Sequence, residues 1–318
     1  MFSCCFDEIH KYREWSKELK SITDSFPGLR IIASGSSVLS IWRGSHDLSR
    51  RAVLRQLSPM SFREWLTVRG LGRFQTVSVS ELVSCHRTVA GHIVQQLRDA
   101  GTTVLSEFGR YLKTGYYPYA FEHENALADF LLTLEQSVHA TIETDLPALF
   151  PSLTGASIQK IKQLLSIISG LVPFKPDMAG LKRSLQIGDE RTLKTYLKHL
   201  EDAGIVRCLH RQGKTLNNLD KPEKLYLDNP NLMLALTGES GIDMGNMRET
   251  FLLSCFRSEN VLAPARGDFQ VGRYVFEVGG KNKSVKQSAN QPDSYLALDQ
   301  LEIGMGNKIP LWLFGFLY

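Results

Sequence analysis

At 318 residues, with 43% hydrophobic and 22% charged residues, 25 Gly and 12 Pro, the chain is long enough for more than one buried core and is not a disordered or low-complexity sequence. A net charge of +4 excludes a heavily basic coat, but the charge is unevenly placed: residues 1–73 carry +5 and 175–220 carry +3, against −3 over 74–174 and −1 over 221–318. The five cysteines form no Cys-x-x-Cys pair and have no His at zinc-ligand spacing, and no apolar run approaches the roughly 20 residues that span a bilayer. The expectation is a cytoplasmic protein with reduced thiols and no membrane partner.

Met1 to Phe6 reads as a strand that ends in Asp7-Glu8. Trp15, Leu19, Ile22 and Phe26 then fall on one helical face, which Pro27-Gly28 stops. Leu29 to Ala33 has the near-continuous apolar character of a strand buried on both faces of a parallel sheet, and it runs into the polar tip Ser34-Gly35-Ser36-Ser37. Ala52 to Leu57 is expected as a third strand, followed after Pro59 by the amphipathic Phe62-Arg63-Glu64-Trp65-Leu66. Strand, helix, strand, polar tip and strand make an α/β pattern.

From Ser78 to Leu171 the pattern is helical. Leu82, His86 and Val89 define one helix, Ile93, Leu97 and Ala100 a second, and further helices are expected from Leu127 to Val138 and from Ile158 to Ile168. Met178 to Leu185, a tight turn, Glu190 to Asp202 behind the N-cap Asp189, and a strand from Ile205 to Leu209 outline a winged helix. Beyond Lys221-Pro222 come a strand at Lys224 to Asp228, a helix at Met247 to Phe256, and strands at Val261 to Ala263, Phe269 to Val271 and Tyr274 to Val278. A buried strand from Pro310 to Tyr318 is expected to close this second α/β unit.

A strand that delivers Asp7-Glu8 at its C-terminal end suits metal-assisted phosphoryl chemistry, with the Asp holding Mg²⁺ and the Glu polarising the attacking water. Ser34 and Ser36 lie at the tip of the next strand, where a hydroxyl feels a γ-phosphate, and Arg50-Arg51 follow. This ordered set resembles the AAA superfamily, in the form of archaeal and bacterial ATPases that carry a C-terminal domain of unknown function. The resemblance covers essentially the whole chain and extends to Phe108-Gly109-Arg110-Tyr111-Leu112, Gly115-Tyr116-Tyr117-Pro118 and Lys224-Leu225-Tyr226-Leu227-Asp228.

The resemblance implies that Asp7 and Glu8 are a Walker B pair, with Asp7 as the Mg²⁺ ligand, and that Ser34 and Ser36 form a sensor. It implies that Arg50 and Arg51 are an arginine finger reaching a nucleotide in the same or a neighbouring subunit, which would favour self-association. A solvated basic turn is the alternative for these two. ATP and Mg²⁺ are the cofactors of the intact family. The implied organisation is an incomplete AAA-type parallel sheet (1–74), a helical lid (75–172), a winged helix (173–220) and a restriction-endonuclease-like α/β domain (221–318).

One departure governs the functional expectation: the 318 residues contain no Gly-x-x-x-x-Gly-Lys-Ser/Thr loop. Without its backbone N–H groups and Lys to cradle phosphates, this chain alone is expected to bind neither ATP nor Mg²⁺ and not to hydrolyse ATP. The resemblance implies that the strand carrying the loop lies between those ending at Ser34 and Leu57, so its loss leaves backbone groups unpaired there.

Two further readings concern nucleic acid. The helix from Glu190 to Asp202 carries Arg191, Lys194 and Lys198 but also Glu190, Glu201 and Asp202, so a protein-contact or architectural role stands beside a DNA-reading one. Glu249, Asp268, Glu277 and Lys281 resemble the acids and lysine of the endonuclease-like fold, which gather Mg²⁺ and steady a water. The expected Glu-x-Lys is broken, however, to Glu277-Val278-Gly279-Gly280-Lys281, so Lys281 or Lys283 would have to reach in from the loop. A degenerate, non-cleaving module is expected, with a metal-dependent nuclease as the alternative.

Overall fold

The computed structural model describes residues 3–35, 41, 48, 50–123, 126–211, 221–283 and 293–318. At the N-terminus, β1 (Ser3–Phe6) and β2 (Arg30–Ala33) pair in parallel, Ser3 opposite Arg30 through Phe6 opposite Ala33. The helix α1 (Trp15–Ser25) supplies the crossover that a parallel pair requires. Among the described residues no further strand joins this sheet, and its core is thin: Trp15, Leu19 and Leu48 are buried, with Ile9, Ile31 and Ile41 leaning on them.

The third strand expected at Ala52 to Leu57 is not formed. Val53, Leu54 and Leu57 are exposed, Leu57 at 97%. Apolar residues signal a strand, but a strand exists only by pairing, and among the described residues the ladder it would join ends at β2.

The helical region opens with α2 (Phe62–Val68), fixed by a capping box in which Ser61 N donates to Glu64 Oε2 at 2.8 Å while Glu64 N donates to Ser61 Oγ at 3.3 Å. The two helices expected next are one, α3 (Val79–Asp99). Leu82, His86, Ala90, Ile93, Val94 and Leu97 form a single buried stripe, and this continuity outweighs the roughly 1 kcal/mol that Gly91 costs a helix interior. There follow α4 (Val104–Thr114), α5 (Leu127–Ala140), a π-helical turn Thr141–Asp145, α6 (Leu146–Leu149) and α7 (Gly155–Leu171). Then come α8 (Met178–Ser184) and α9 (Glu190–Asp202), the latter N-capped by Asp189 as expected.

Seven strands make the main sheet: β3 (Val206–Arg211), β4 (Lys224–Leu227), β5 (Val261–Ala263), β6 (Phe269–Val271), β7 (Tyr274–Gly279), β8 (Ser294–Leu298) and β9 (Lys308–Pro310), in the order β4-β3-β5-β6-β7-β8-β9. β3 pairs antiparallel with β4 through residues 206–209 and then parallel with β5 through His210 and Arg211. β5, β6 and β7 form an antiparallel meander, and β7, β8 and β9 are parallel. Between them lie α10 (Pro230–Thr237) and α11 (Met244–Cys255).

The closing segment is buried as expected, but it is not a strand: Leu311–Phe316 coil into a 3₁₀ helix after β9. A continuous apolar run carries no period that separates the two forms. Gly315 lets the coil meet α2, since a Cβ there would lie 2.5 Å from Phe62 Cβ.

Two cores hold these elements. Phe62, Leu66, Leu82 and Tyr111 pack with Phe251, Phe276, Trp312 and Phe314, so the helices at 62–114 share the core of the C-terminal sheet. Phe130, Ile142 and Leu165 pack with Leu193, Leu197, Leu225 and Leu227. Among the described residues no helix is long and apolar enough to cross a membrane. The architecture is α/β, as expected.

Candidate functional sites

At the N-terminal tip, the parallel register sets the ends of β1 and β2 side by side. Ser34 N donates to Phe6 O at 2.8 Å and Ile9 N to Ser34 O at 3.0 Å, so the ladder continues past both strands. It brings Asp7 and Ser34 together: Ser34 Oγ donates to Asp7 Oδ1 at 2.5 Å, and Glu8 N donates to the same oxygen at 3.0 Å. The Ser34 hydroxyl, then the Glu8 N–H, hold the Asp7 carboxyl below its usual range. Glu8 takes a left-handed conformation (φ 50°) and turns its carboxylate toward Lys11, 3.1 Å from Nζ. Gly35 lets the tip close over His10, whose Nδ1 would lie 2.7 Å from a Cβ at that position.

Sequence reasoning did not single out Asp145, at the end of the π-helical turn. Burial pushes its carboxyl up, while His10 draws it down, Glu8 raises it and Lys11 lowers it, so the helical region borders the tip. Ser36 lies outside the described residues. Arg50 is exposed. Arg51 is spent on α1, donating from Nε to Asp24 Oδ1 at 2.7 Å and from Nη2 to Asp24 Oδ2 at 3.1 Å, rather than facing Asp7.

On α9 the basic residues are balanced by acids of the same helix. Lys194 Nζ lies 3.0 Å from Glu190, and Lys198 Nζ lies 3.2 Å from Glu201 and 2.8 Å from Asp202. Arg191 is exposed. Phe174 bridges Leu225, adding a third short segment beside the β3–β4 hairpin.

The C-terminal acids do come together. The antiparallel register pairs Phe269 with Phe276, which sets Asp268 opposite Glu277 just beyond β6. Asp268 N donates to Phe276 O at 2.9 Å, and Asp268 Oδ2 accepts from Val278 N at 2.8 Å. Gly267, at φ +88°, makes the turn that delivers Asp268. Glu249 reaches in from α11.

The lysine is not Lys281, which is exposed, but Lys283. Its side chain folds back over Gly279, where a Cβ would lie 2.2 Å from Lys283 Cδ. Its ammonium sits 2.9 Å from Glu277 Oε1 and donates to Val278 O at 2.6 Å. Lys224, from the start of β4, adds a second ammonium, 3.1 Å from Glu249 Oε2 and 3.7 Å from Asp268 Oδ1. Tyr226 OH donates to Glu249 Oε2 at 3.0 Å. The roles of Lys224 and Tyr226 depend on how the hairpin packs on α11, and no local motif announces them.

Residues 2–66 match a family model described as an AAA domain, and residues 105–243 match one described only as a domain of unknown function, DUF8612. The uncharacterized protein MJ1637 of Methanocaldococcus jannaschii is 31% identical over 122 residues, which are 37% of this chain and 24% of that protein. The chain therefore spans about a quarter of the length of the curated relative it matches. No solved structure matches it. With Asp7 and Ser34 joined at the ends of adjacent parallel strands inside the matched segment, the N-terminal region of the chain is AAA-ATPase-like.

Proposed function

We propose that residues 3–51 carry the acidic half of an AAA-type nucleotide site and that this chain does not hydrolyse ATP by itself. The Asp7–Ser34 hydrogen bond supports this most directly: it joins a metal-binding carboxylate and a phosphate-sensing hydroxyl across neighbouring strand ends. Asp7 is exposed to solvent, and its second oxygen would hold the Mg²⁺ of a bound nucleotide, while Glu8 would polarise water once turned away from Lys11. A nucleotide's Mg²⁺ would neutralise charge on the transferring phosphate. These 318 residues contain no such phosphate cradle, and among the described residues β2 has β1 as its one strand partner, which leaves room for the strand that would carry the cradle.

The test has two arms. Purified chain with Mg²⁺ and ATP should neither retain nucleotide in equilibrium dialysis nor release phosphate; tight Mg²⁺-dependent retention would refute the reading. Joining a strand, glycine-rich loop and helix from an AAA-type ATPase ahead of Ser3 should create ATP hydrolysis, and hydrolysis that survives Glu8→Gln would count against Glu8.

A second reading takes residues 173–220 as a winged helix, supported by the succession of the Phe174 bridge, α8, α9 and β3. Because Lys194 and Lys198 are neutralised within α9, protein contact is favoured over DNA contact. A salt-dependent DNA mobility shift that Arg191→Ala weakens would reverse that preference. We read the C-terminal region, 221–318, as a non-cleaving relative of the endonuclease-like fold, a reading supported by its helix α11, antiparallel meander and parallel β8.

A further inference from the structure

We infer that the Lys224 ammonium is a built-in cation seated between Glu249 and Asp268, so that the C-terminal acids are closed to divalent metal while Lys224 is present and open to it when Lys224 is removed. Nothing in this cluster depends on the nucleotide reading of residues 3–51, and either can fail without the other.

The seat is built from three elements. Glu249 comes from α11, Asp268 from the turn before β6, and Lys224 from β4, where Leu209 of β3 is its backbone partner. The side chains are 22%, 18% and 24% exposed, respectively, so charge here is screened less than at an open surface. Two carboxylates brought this close repel unless a cation lies between them, and Lys224 touches both.

Further donors hold these acids in place. Glu249 Oε2 accepts the Tyr226 hydroxyl, and burial, then the Glu249 charge, push that phenol far above its ordinary range, so it stays a donor. Asp268 Oδ2 is held by Val278 N, and Glu277 has its own ammonium in Lys283. Among the described residues no three Asp, Glu, His or Cys groups are placed to hold a metal.

Replacing Lys224 by Met keeps an apolar stem against the hairpin while leaving Glu249 and Asp268 unbalanced. A hard dication is the natural ligand for two such carboxylate oxygens.

Mn²⁺ is the probe, followed by electron paramagnetic resonance of the free ion and by thermal unfolding of the full chain. The unaltered chain should show no Mn²⁺ site that Asp268→Asn removes. Lys224→Met, or Lys224→Gln, should bind one Mn²⁺ at least about tenfold more tightly than the unaltered chain and unfold at a higher temperature in its presence. Adding Asp268→Asn to either variant should abolish both effects. Mn²⁺ bound through Asp268 with Lys224 in place would overturn the inference. So would two folded Lys224 variants that bind none. If neither variant folds, Lys224 is a strut of the core rather than a plug, and the inference falls as well.

Discussion

Asp228→Ala should be among the most destabilising changes in the chain. Arg257 donates to Asp228 through both terminal nitrogens, at 2.6 and 2.7 Å, and the two side chains are only 16% and 6% exposed. Burial works against the Arg257 charge, yet Asp228 holds that guanidinium above its ordinary range. Arg207 lies in the same interior and donates to Leu253 O and Phe256 O at the end of α11; burial lowers it and the Asp228 charge opposes the fall. Removing the carboxylate strands the buried Arg257 guanidinium and withdraws a favourable charge from Arg207, and breaking a buried pair in this way costs about 3–5 kcal/mol. At roughly 2–4 °C per kcal/mol for chains of 150–250 residues, the melting temperature should fall on the order of 10 °C. Asp228→Leu combined with Arg257→Met should recover most of the loss, because apolar replacements of a whole buried pair are near neutral. Tryptophan fluorescence, which reports the core around Trp65 and Trp312, follows the unfolding. A fall of less than about 2 °C for Asp228→Ala would refute the reasoning. Because Asp228 follows β4 and Arg257 follows α11, the same change should also loosen Lys224 from Glu249.

Ser34→Ala should return the Asp7 carboxyl toward its usual range, read by carboxyl NMR titration; an unchanged titration would mean that Ser34 does not hold it. In sign, a depressed folded carboxyl stabilises above the unfolded carboxylate range, and this contribution fades as pH falls through the folded value. Gly279→Ala should dislodge Lys283 from Glu277, visible as a shifted lysine NMR signal, at about 1–3 kcal/mol, because the added methyl would also lie 2.7 Å from Lys283 Cβ and the loop backbone must yield with the side chain. Burial pushes Tyr119 up to about 12 and raises Tyr111 and Tyr116 well above their ordinary range. These phenols therefore stabilise the fold below about pH 10; the contribution of Tyr119 is lost as pH rises through about 12, and those of Tyr111 and Tyr116 as pH rises through their own raised values. Absorbance at the tyrosinate band should rise with unfolding, and these phenols ionising in a still-folded chain near their ordinary range would contradict their burial.

Elements with their own period were legible in the sequence. Trp15 and Leu19 mark α1, Leu193, Leu197 and Leu200 mark α9, and the short β-rich runs at Val261, Phe269 and Tyr274 mark the meander. The strand at Ala52 failed because pairing is decided by neighbours rather than by the residues themselves. The split of α3 failed because the buried stripe crosses Gly91 without a break. For the site, Glu249, Asp268 and Glu277 were legible as acids delivered by a helix and two adjacent strands. Lys283 in place of Lys281 was not decided, since the choice rests on a side chain folding back over a residue with no Cβ. Lys224 was invisible as a site residue because its reach to Glu249 and Asp268 is set by how the hairpin lies against α11.

The sharing of β3 between two partners limits how the molecule can be dissected. A fragment begun at residue 173 would keep the hairpin and the meander but strip Phe62, Leu82 and Tyr111 from Phe251 and Phe314, baring aromatic surface and inviting aggregation. Tyr318 OH donates to Pro59 O at 3.1 Å, closing the late part of the chain onto the residues just ahead of α2. The smallest piece that keeps its interior covered therefore runs from 59 to 318, and severing the chain just before Pro59 is the cut that separates this shared core from the AAA-like tip.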